Sequence, residues 1–276
     1  DVALATRIEA AEARLVAEAS RGVARRVPDA YVVDIGGGTA AFTELGSPLN
    51  KVAGLGFTDL DEAAWSEVER EHQRRSAPIQ VELSTLADPR IAAFLCARGH
   101  RLVAVENVSG RSLASVPTSA VGEVAIEVLQ RRGSQEPERL SEWLDVMVTG
   151  FGSPDTAGAG EPQSIDRAMM ERVVRDFQNA RGVVLFLCRR NGELAGAASM
   201  RLDAGIAQLC GAATLPLHRR RGVQSALLHH RLQHAAQAGC DLAVVTTQPG
   251  SKSQQNAQAA GFALLYARNV LLAAPT

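Results

Sequence analysis

The sequence has little with which to build a metal centre, a cross-linked scaffold or a nucleic-acid surface. Its four cysteines, Cys96, Cys188, Cys210 and Cys240, are scattered, and none forms a Cys-x-x-Cys pair. Neither a zinc site nor a disulfide framework is indicated, and a reducing cytoplasm is the expected compartment. Acidic and basic residues nearly cancel, 30 against 29, which argues against the broad basic face that nucleic acid requires. Lysine occurs only at Lys51 and Lys252, an arginine bias read as genome composition. No run approaches the ~20 apolar residues of a membrane span, so no membrane partner is expected. Nothing from Asp1 onward resembles a signal peptide.

What is present suffices for a sizeable core: 46% of the 276 residues are hydrophobic, enough for one large or two small domains. Leu4, Ile8, Ala11, Leu15 and Ala19 recur at helical spacing and predict a helix over residues 2–26. Short strands are expected at Tyr31–Asp34, Ala41–Leu45, Lys51–Phe57, Ile79–Leu83 and Arg101–Asn107, with helices at Asp59–Arg74 and Pro89–Cys96. Residues 109–120 read as a linker or crossover. Beyond it come a strand at Val124–Leu129 and helices at Pro137–Val148 and Ser164–Phe177, separated by a Gly/Pro/Ser-rich loop. Asn191-Gly192 is a strong hairpin signal between strands at Val183–Cys188 and Leu194–Leu202. Then follow a strand at Ile206–Thr214, a helix at Gly222–Ala238, a strand at Leu242–Thr247, a helix at Ser253–Ala259 and a last strand region at Phe262–Leu272.

The two halves repeat. Ala97-Arg98-Gly99-His100 leads to Asn107-Val108, and Ala259-Ala260-Gly261-Phe262 leads to Asn269-Val270, at a constant offset of 162 residues. The same shift aligns helix, strand, helix and strand without a gap. An internal duplication is expected, with halves at 1–115 and 121–276.

Three arginines, Arg219, Arg220 and Arg221, stand against Gly222 where a strand becomes a helix. The first turn of a helix leaves backbone N–H groups unpaired, and the helix dipole adds positive charge there, so such a turn binds phosphate. Gly222 lets the backbone approach a ligand, and guanidinium groups grip phosphate oxygens in pairs. Pro216 ends regular pairing and leaves Ala213, Thr214 and Leu215 free for an extended molecule.

The stretch Thr214-Leu215-Pro216-Leu217-His218-Arg219-Arg220-Arg221-Gly222-Val223-Gln224-Ser225 resembles the acyl-coenzyme A loop of the GNAT superfamily of N-acyltransferases, whose usual form is Arg-x-x-Gly-x-Gly/Ala opening a helix. Arg219 and Gly222 match; Gln224 departs. The element order from Val121 to the C-terminus also fits. The resemblance implies an α/β fold of mixed, mostly antiparallel sheets flanked by helices, in two GNAT-like halves. It implies acetyl-CoA as cosubstrate, no metal, and a small-molecule primary amine as acceptor. Backbone groups from Arg220 through Arg221, Gly222, Val223 and Gln224 to Ser225 would hold the pyrophosphate. Ala213–Leu215 would pair with the pantetheine arm and polarise the thioester carbonyl, and Asn256 is a further candidate contact. The family's tyrosine acid falls at Ala257, so Tyr266, the only tyrosine in this half, stands in as candidate acid. Glu142, Asp155, Glu161 and Glu193 are the candidate bases. A non-catalytic acyl-CoA-binding or sensing protein is the alternative.

In the first half the corresponding turn carries Asp59, Asp61 and Glu62 in place of arginines. These suit a helix start but repel a diphosphate, so this half is expected to be a degenerate copy that completes the fold and walls the acceptor pocket, with 46–51 as a pocket loop. Asp34-Ile35-Gly36-Gly37-Gly38-Thr39 resembles a phosphate loop of the actin-like ATPases; a glycine-rich hairpin is the simpler reading. His230 and His234 have ligand spacing but lack a third ligand, and read as a polar helix face. His218 reads equally as a phosphate contact or a turn residue. Cys210 reads as a small buried residue, and Trp65 and Trp143 as core.

Overall fold

The computed structural model describes residues 1–116, 124–129, 136–153, 167–178 and 180–275. They divide into two compact units. Unit 1 comprises Asp1–Val108, Val173–Ala180 and Leu264–Thr276; unit 2 comprises Ser109–Arg172 and Arg181–Ala263. Both are α/β, with helices on mostly antiparallel strands.

Unit 1 opens with helix α1 (Val2–Ala24), capped by the Asp1 carboxylate, which accepts from Leu4 N at 2.8 Å. Strands β1 (Tyr31–Ile35) and β2 (Gly38–Phe42) form a hairpin whose two turn residues, Gly36 and Gly37, have φ of 53° and 75°. Two consecutive left-handed residues make the turn that matches strand twist, so the Gly36-Gly37-Gly38 run is a hairpin turn, as the simpler reading had it. Then come β3 (Lys51–Ala53), α2 (Glu62–Arg74), β4 (Ile79–Ser84), α3 (Pro89–Ala97) and β5 (Arg101–Ser112), which leaves unit 1 after Val108. β3 was expected to run on to Phe57. It stops at Ala53 because Gly54 and Gly56 turn left-handed, at φ 84° and 90°. The strand order is β1-β2-β3-β4-β11, with β3 and β4 parallel and the other pairs antiparallel. β11 (Ala263–Ala273), the last strand in sequence, pairs with β4 over Arg268–Ala273. Trp65, Val81, Leu83, Leu95 and Leu271 form the core.

Unit 2 contains β6 (Val124–Leu129), α4 (Glu136–Gly152), most of α5 (Arg167–Phe177), β7 (Val183–Arg190), β8 (Glu193–Asp203), β9 (Ile206–Thr214), a 3-10 turn (Pro216–His218), α6 (Val223–Gln237), β10 (Leu242–Thr247) and α7 (Lys252–Ala259). Its order is β6-β7-β8-β9-β10, antiparallel except for the parallel pair β9–β10. Asn191-Gly192 makes the expected two-residue hairpin, with φ 52° and 83°. Helix α4 runs four residues beyond its expected end at Val148, because Met147, Gly150 and Phe151 pack on β9. A Cβ on Gly150 would lie 2.6 Å from that of Ala213, so only glycine permits that approach. Phe186, Met200, Leu227, Leu232 and Ala243 form the core. Trp143 is buried and donates Nε1–H to Ala198 O at 3.0 Å, and Trp65 is also buried, as expected of both.

Candidate functional site

In unit 2 the parallel strands part. β9 and β10 share a register for only four residues each, Ile206–Leu209 with Leu242–Val245. Both strands continue, β9 to Thr214 and β10 to Thr247. The cause is a β-bulge: Cys210 and Gly211 of β9 oppose the single residue Ser199 of β8, between the pairs Met200–Leu209 and Ala198–Ala212. An extra residue bends and twists its strand, which turns the end of β9 away from β10 and opens a fork.

At the mouth of the fork the chain reverses sharply. Arg219 is extended at φ −65° and ψ 153°, whereas Arg220 (φ 58°) and Gly222 (φ 78°) are left-handed. α6 starts at Val223, and no side chain caps its first turn. α2, α3 and α7 are capped by Asp61, Asp88 and Ser251, each accepting from a first-turn N–H. The unpaired first-turn N–H groups of α6 thus concentrate the positive end of the helix dipole at the fork.

The three arginines do different things. Arg220 and Arg221 are exposed. Arg219 turns inward: its guanidinium donates to the carbonyls of Thr214 at 3.4 Å, Gly150 at 3.3 Å and Ser153. It ties the end of β9 to the end of α4. His218 is buried, with Nε2 3.8 Å from the Glu193 carboxylate and Nδ1 without a partner among the described residues.

Residues 155–262 match the model of the Acetyltransferase (GNAT) family. The chain contains a GNAT domain. The fold recurs in solved structures: a GCN5-related N-acetyltransferase from Kribbella flavida, 18% identical over 94% of each chain with a TM-score of 0.63; a tandem GNAT protein from the clavulanic acid biosynthesis pathway, 15% identical over 92% of this chain and 86% of that one, TM-score 0.59; and a GCN5-related N-acetyltransferase from Sphaerobacter thermophilus, 14% identical over 81% and 71%, TM-score 0.55. At these identities the likeness is one of fold. No curated protein matches the sequence.

The residues singled out from sequence fall in three groups. Ala213, Thr214, Leu215 and the run from Arg219 to Ser225 lie together along the end of β9, the reversal and the start of α6. Asn256 lies half-buried on α7, the helix after β10. Tyr266 lies elsewhere. It is on β11 in unit 1, buried, and donates to Glu9 Oε1 at 2.6 Å. Burial, reinforced by the Glu9 charge, pushes its pKa up, so its proton is committed.

Of the candidate bases, Glu142 accepts from Arg189 at 2.7 Å and from Arg139 at 2.9 Å, and the two guanidinium groups hold its carboxyl below the usual range although partial burial opposes them. A carboxylate so engaged is a weak proton acceptor. Glu193 is exposed beside His218. Asp155 and Glu161 lie outside the described residues. Cys210 is half-buried in the bulge. His230 and His234 stand edge-on to Phe186, and among the described residues no cluster could hold a metal ion.

Unit 1 has the same elements without the fork. Its parallel pair is Val52–Val81 and Ala53–Glu82. The segment that follows β3 folds back, and Gly56 O accepts from Asp88 N at 2.8 Å at the start of α3. A Cβ on Gly56 would lie 2.4 Å from that of Ala87, and Leu55 is buried. The Asp61 carboxylate occupies the first turn of α2 by accepting from Ala63 N at 2.9 Å. The anion position is thus filled by the chain's own carboxylate. The loop 46–51 is pinned too: Asn50 accepts from Thr43 N and donates to Glu44 O, both at 2.7 Å, and Lys51 donates to Glu82 at 2.8 Å.

Sequence reading missed the bulge and the inward turn of Arg219. The Arg219 contacts have no local signal, since Gly150 and Ser153 lie some seventy residues away. Cys210-Gly211 carried one trace, a glycine inside a strand, which often marks a bulge.

Proposed function

We propose that unit 2 binds acetyl-coenzyme A in the β9/β10 fork and transfers its acetyl group to a primary amine, with unit 1 as a degenerate copy. The carrying observation is the uncapped, left-handed start of α6 at the mouth of an open fork, flanked by Arg220 and Arg221. In this reading the N–H groups from Arg220 to Ser225 hold the diphosphate, and the two exposed guanidinium groups add charge. The extended arm lies along Ala213–Leu215, whose backbone groups polarise the thioester carbonyl. Arg219 acts by holding the backbone in place. The amine arrives deprotonated, and positioning supplies much of the acceleration. Asn256 is a further contact for the arm.

The second reading is a protein that binds acyl-coenzyme A without turnover. Ala257 at the family's acid position, with Tyr266 committed to Glu9, favours it. A thiol-release assay with acetyl-coenzyme A across a panel of primary amines separates the two. Release dependent on an amine supports transfer; tight binding with no release by any amine supports the sensor. Absence of coenzyme A binding overturns both.

A further inference from the structure

Two buried hydroxyls of unit 2, Thr214 Oγ1 at the end of β9 and Thr247 Oγ1 at the end of β10, are sealed from water and meet no hydrogen-bond partner among the described residues. A hydroxyl buried that way costs free energy that valine, of the same shape, avoids. Stability alone therefore does not account for threonine at either position.

Strand alternation shows where the two side chains lie. Ala213 faces α4, so Thr214 faces the α6 side. Ala243 and Val245 belong to the core packed under α6, so Thr247 shares that face. Both hydroxyls therefore flank one side of the fork. Thr247 is two residues past the last paired residue of β10, Val245, and Thr214 is five past the last of β9, Leu209. Thr247 is the deeper of the two, and Thr214 sits at the mouth, where Arg219 holds its carbonyl.

The next step rests on the proposed function. With a diphosphate at the start of α6, the arm enters past Thr214, and its thiol end points toward Thr247. We propose that these two hydroxyls are the side-chain hydrogen-bond partners of the inserted arm, Thr214 at the amide near the diphosphate and Thr247 at the thioester sulfur. In acyl transfer the amine nitrogen bonds to the carbonyl carbon, the C–S bond breaks, and sulfur leaves with the electron pair. The Thr247 hydroxyl donates a hydrogen bond to that thiolate and keeps its proton; the surplus proton of the amine passes to water. Thr247 so stabilises the leaving thiolate by a hydrogen bond, where Ala257 supplies no acid. The two hydroxyls meet no partner among the described residues, and the inserted arm supplies one to each, which valine could not use.

The test uses the full chain with T214V and T247V, and T214S and T247S as controls that keep the hydroxyl. Each valine variant should melt higher without ligand yet bind coenzyme A about five- to tenfold more weakly, the worth of one hydrogen bond. Adenosine 3′,5′-bisphosphate, which lacks the arm, should bind as to the wild type, and the serine variants should keep coenzyme A affinity. Unchanged coenzyme A affinity in both valine variants overturns the inference while the proposed function stands. So does a parallel loss of bisphosphate binding, or an equal loss in the serine variants. Should T247V not fold, T247A carries the same binding prediction. A wild-type chain that binds no coenzyme A overturns the proposed function, and this inference with it.

Discussion

Arg220→Glu with Arg221→Glu is the sharpest perturbation of the proposed diphosphate site, because it separates charge from structure. Both side chains are exposed, so the double change should move stability by no more than about 0.5 kcal/mol per site. The left-handed backbone of Arg220 is strained equally with either side chain. For binding, two unit charges about 4 Å apart in water interact by about 1 kcal/mol. Reversing the sign turns that attraction into repulsion, a change of about 2 kcal/mol per arginine and about 4 kcal/mol for the pair, roughly a thousandfold in Kd. Titration calorimetry with coenzyme A, alongside a thermal melt, reads both quantities. The wild-type affinity should also fall steeply as salt shortens the screening length, and in the variant the contribution of these two sites should change sign, because salt then screens a repulsion. A folded double variant that binds coenzyme A as well as the wild type would refute the placement of the diphosphate at α6.

Arg219→Ala should behave in the opposite way, lowering the melting temperature by removing about 2–3 kcal/mol of charge-assisted hydrogen bonding to the carbonyls of Thr214, Gly150 and Ser153; a melt unchanged from the wild type would show that the clamp is idle. Gly222→Ala meets no atom within 4 Å, so its cost is the left-handed backbone alone, about 1–2 kcal/mol, and calorimetry should find coenzyme A affinity falling by more than that. His72 supplies a pH test of unit 1: burial lowers its pKa from 6.5 to about 4, against the opposing effect of its contact with Pro78 O. The folded state therefore refuses a proton that the unfolded chain takes up, so this contribution is complete above pH 6.5 and is lost as pH falls toward 4, by up to about 3 kcal/mol. Denaturant titrations of His72→Asn should show that slope flattened; an equal slope would assign the acid sensitivity to other groups.

The legible parts of this protein were those whose cause is local. Asn191-Gly192 and Gly36-Gly37 supply left-handed residues where a two-residue hairpin needs them, and both hairpins formed. Gly222 and the arginines announced a helix start that no side chain caps, and Asp61 announced one that satisfies itself. Element order followed from periodicity, because the apolar spacing of a helix or strand is written in adjacent residues, and the expectation of a repeat came from short identities at a constant offset of 162 residues. Tertiary structure decided the rest. Sequence proximity assigned Tyr266 and β11 to the second half, whereas hydrogen bonding to β4 and burial against Glu9 set them in unit 1. Three neighbouring arginines are equivalent as letters, yet distant carbonyls draw Arg219 inward and leave its neighbours to solvent. Whether a parallel pair opens into a fork or closes depended on a bulge across from Ser199 in one unit and on the Asp88–Gly56 hydrogen bond in the other. Such pairings join residues far apart in the chain, and the free energy that selects them arises only when the strands meet.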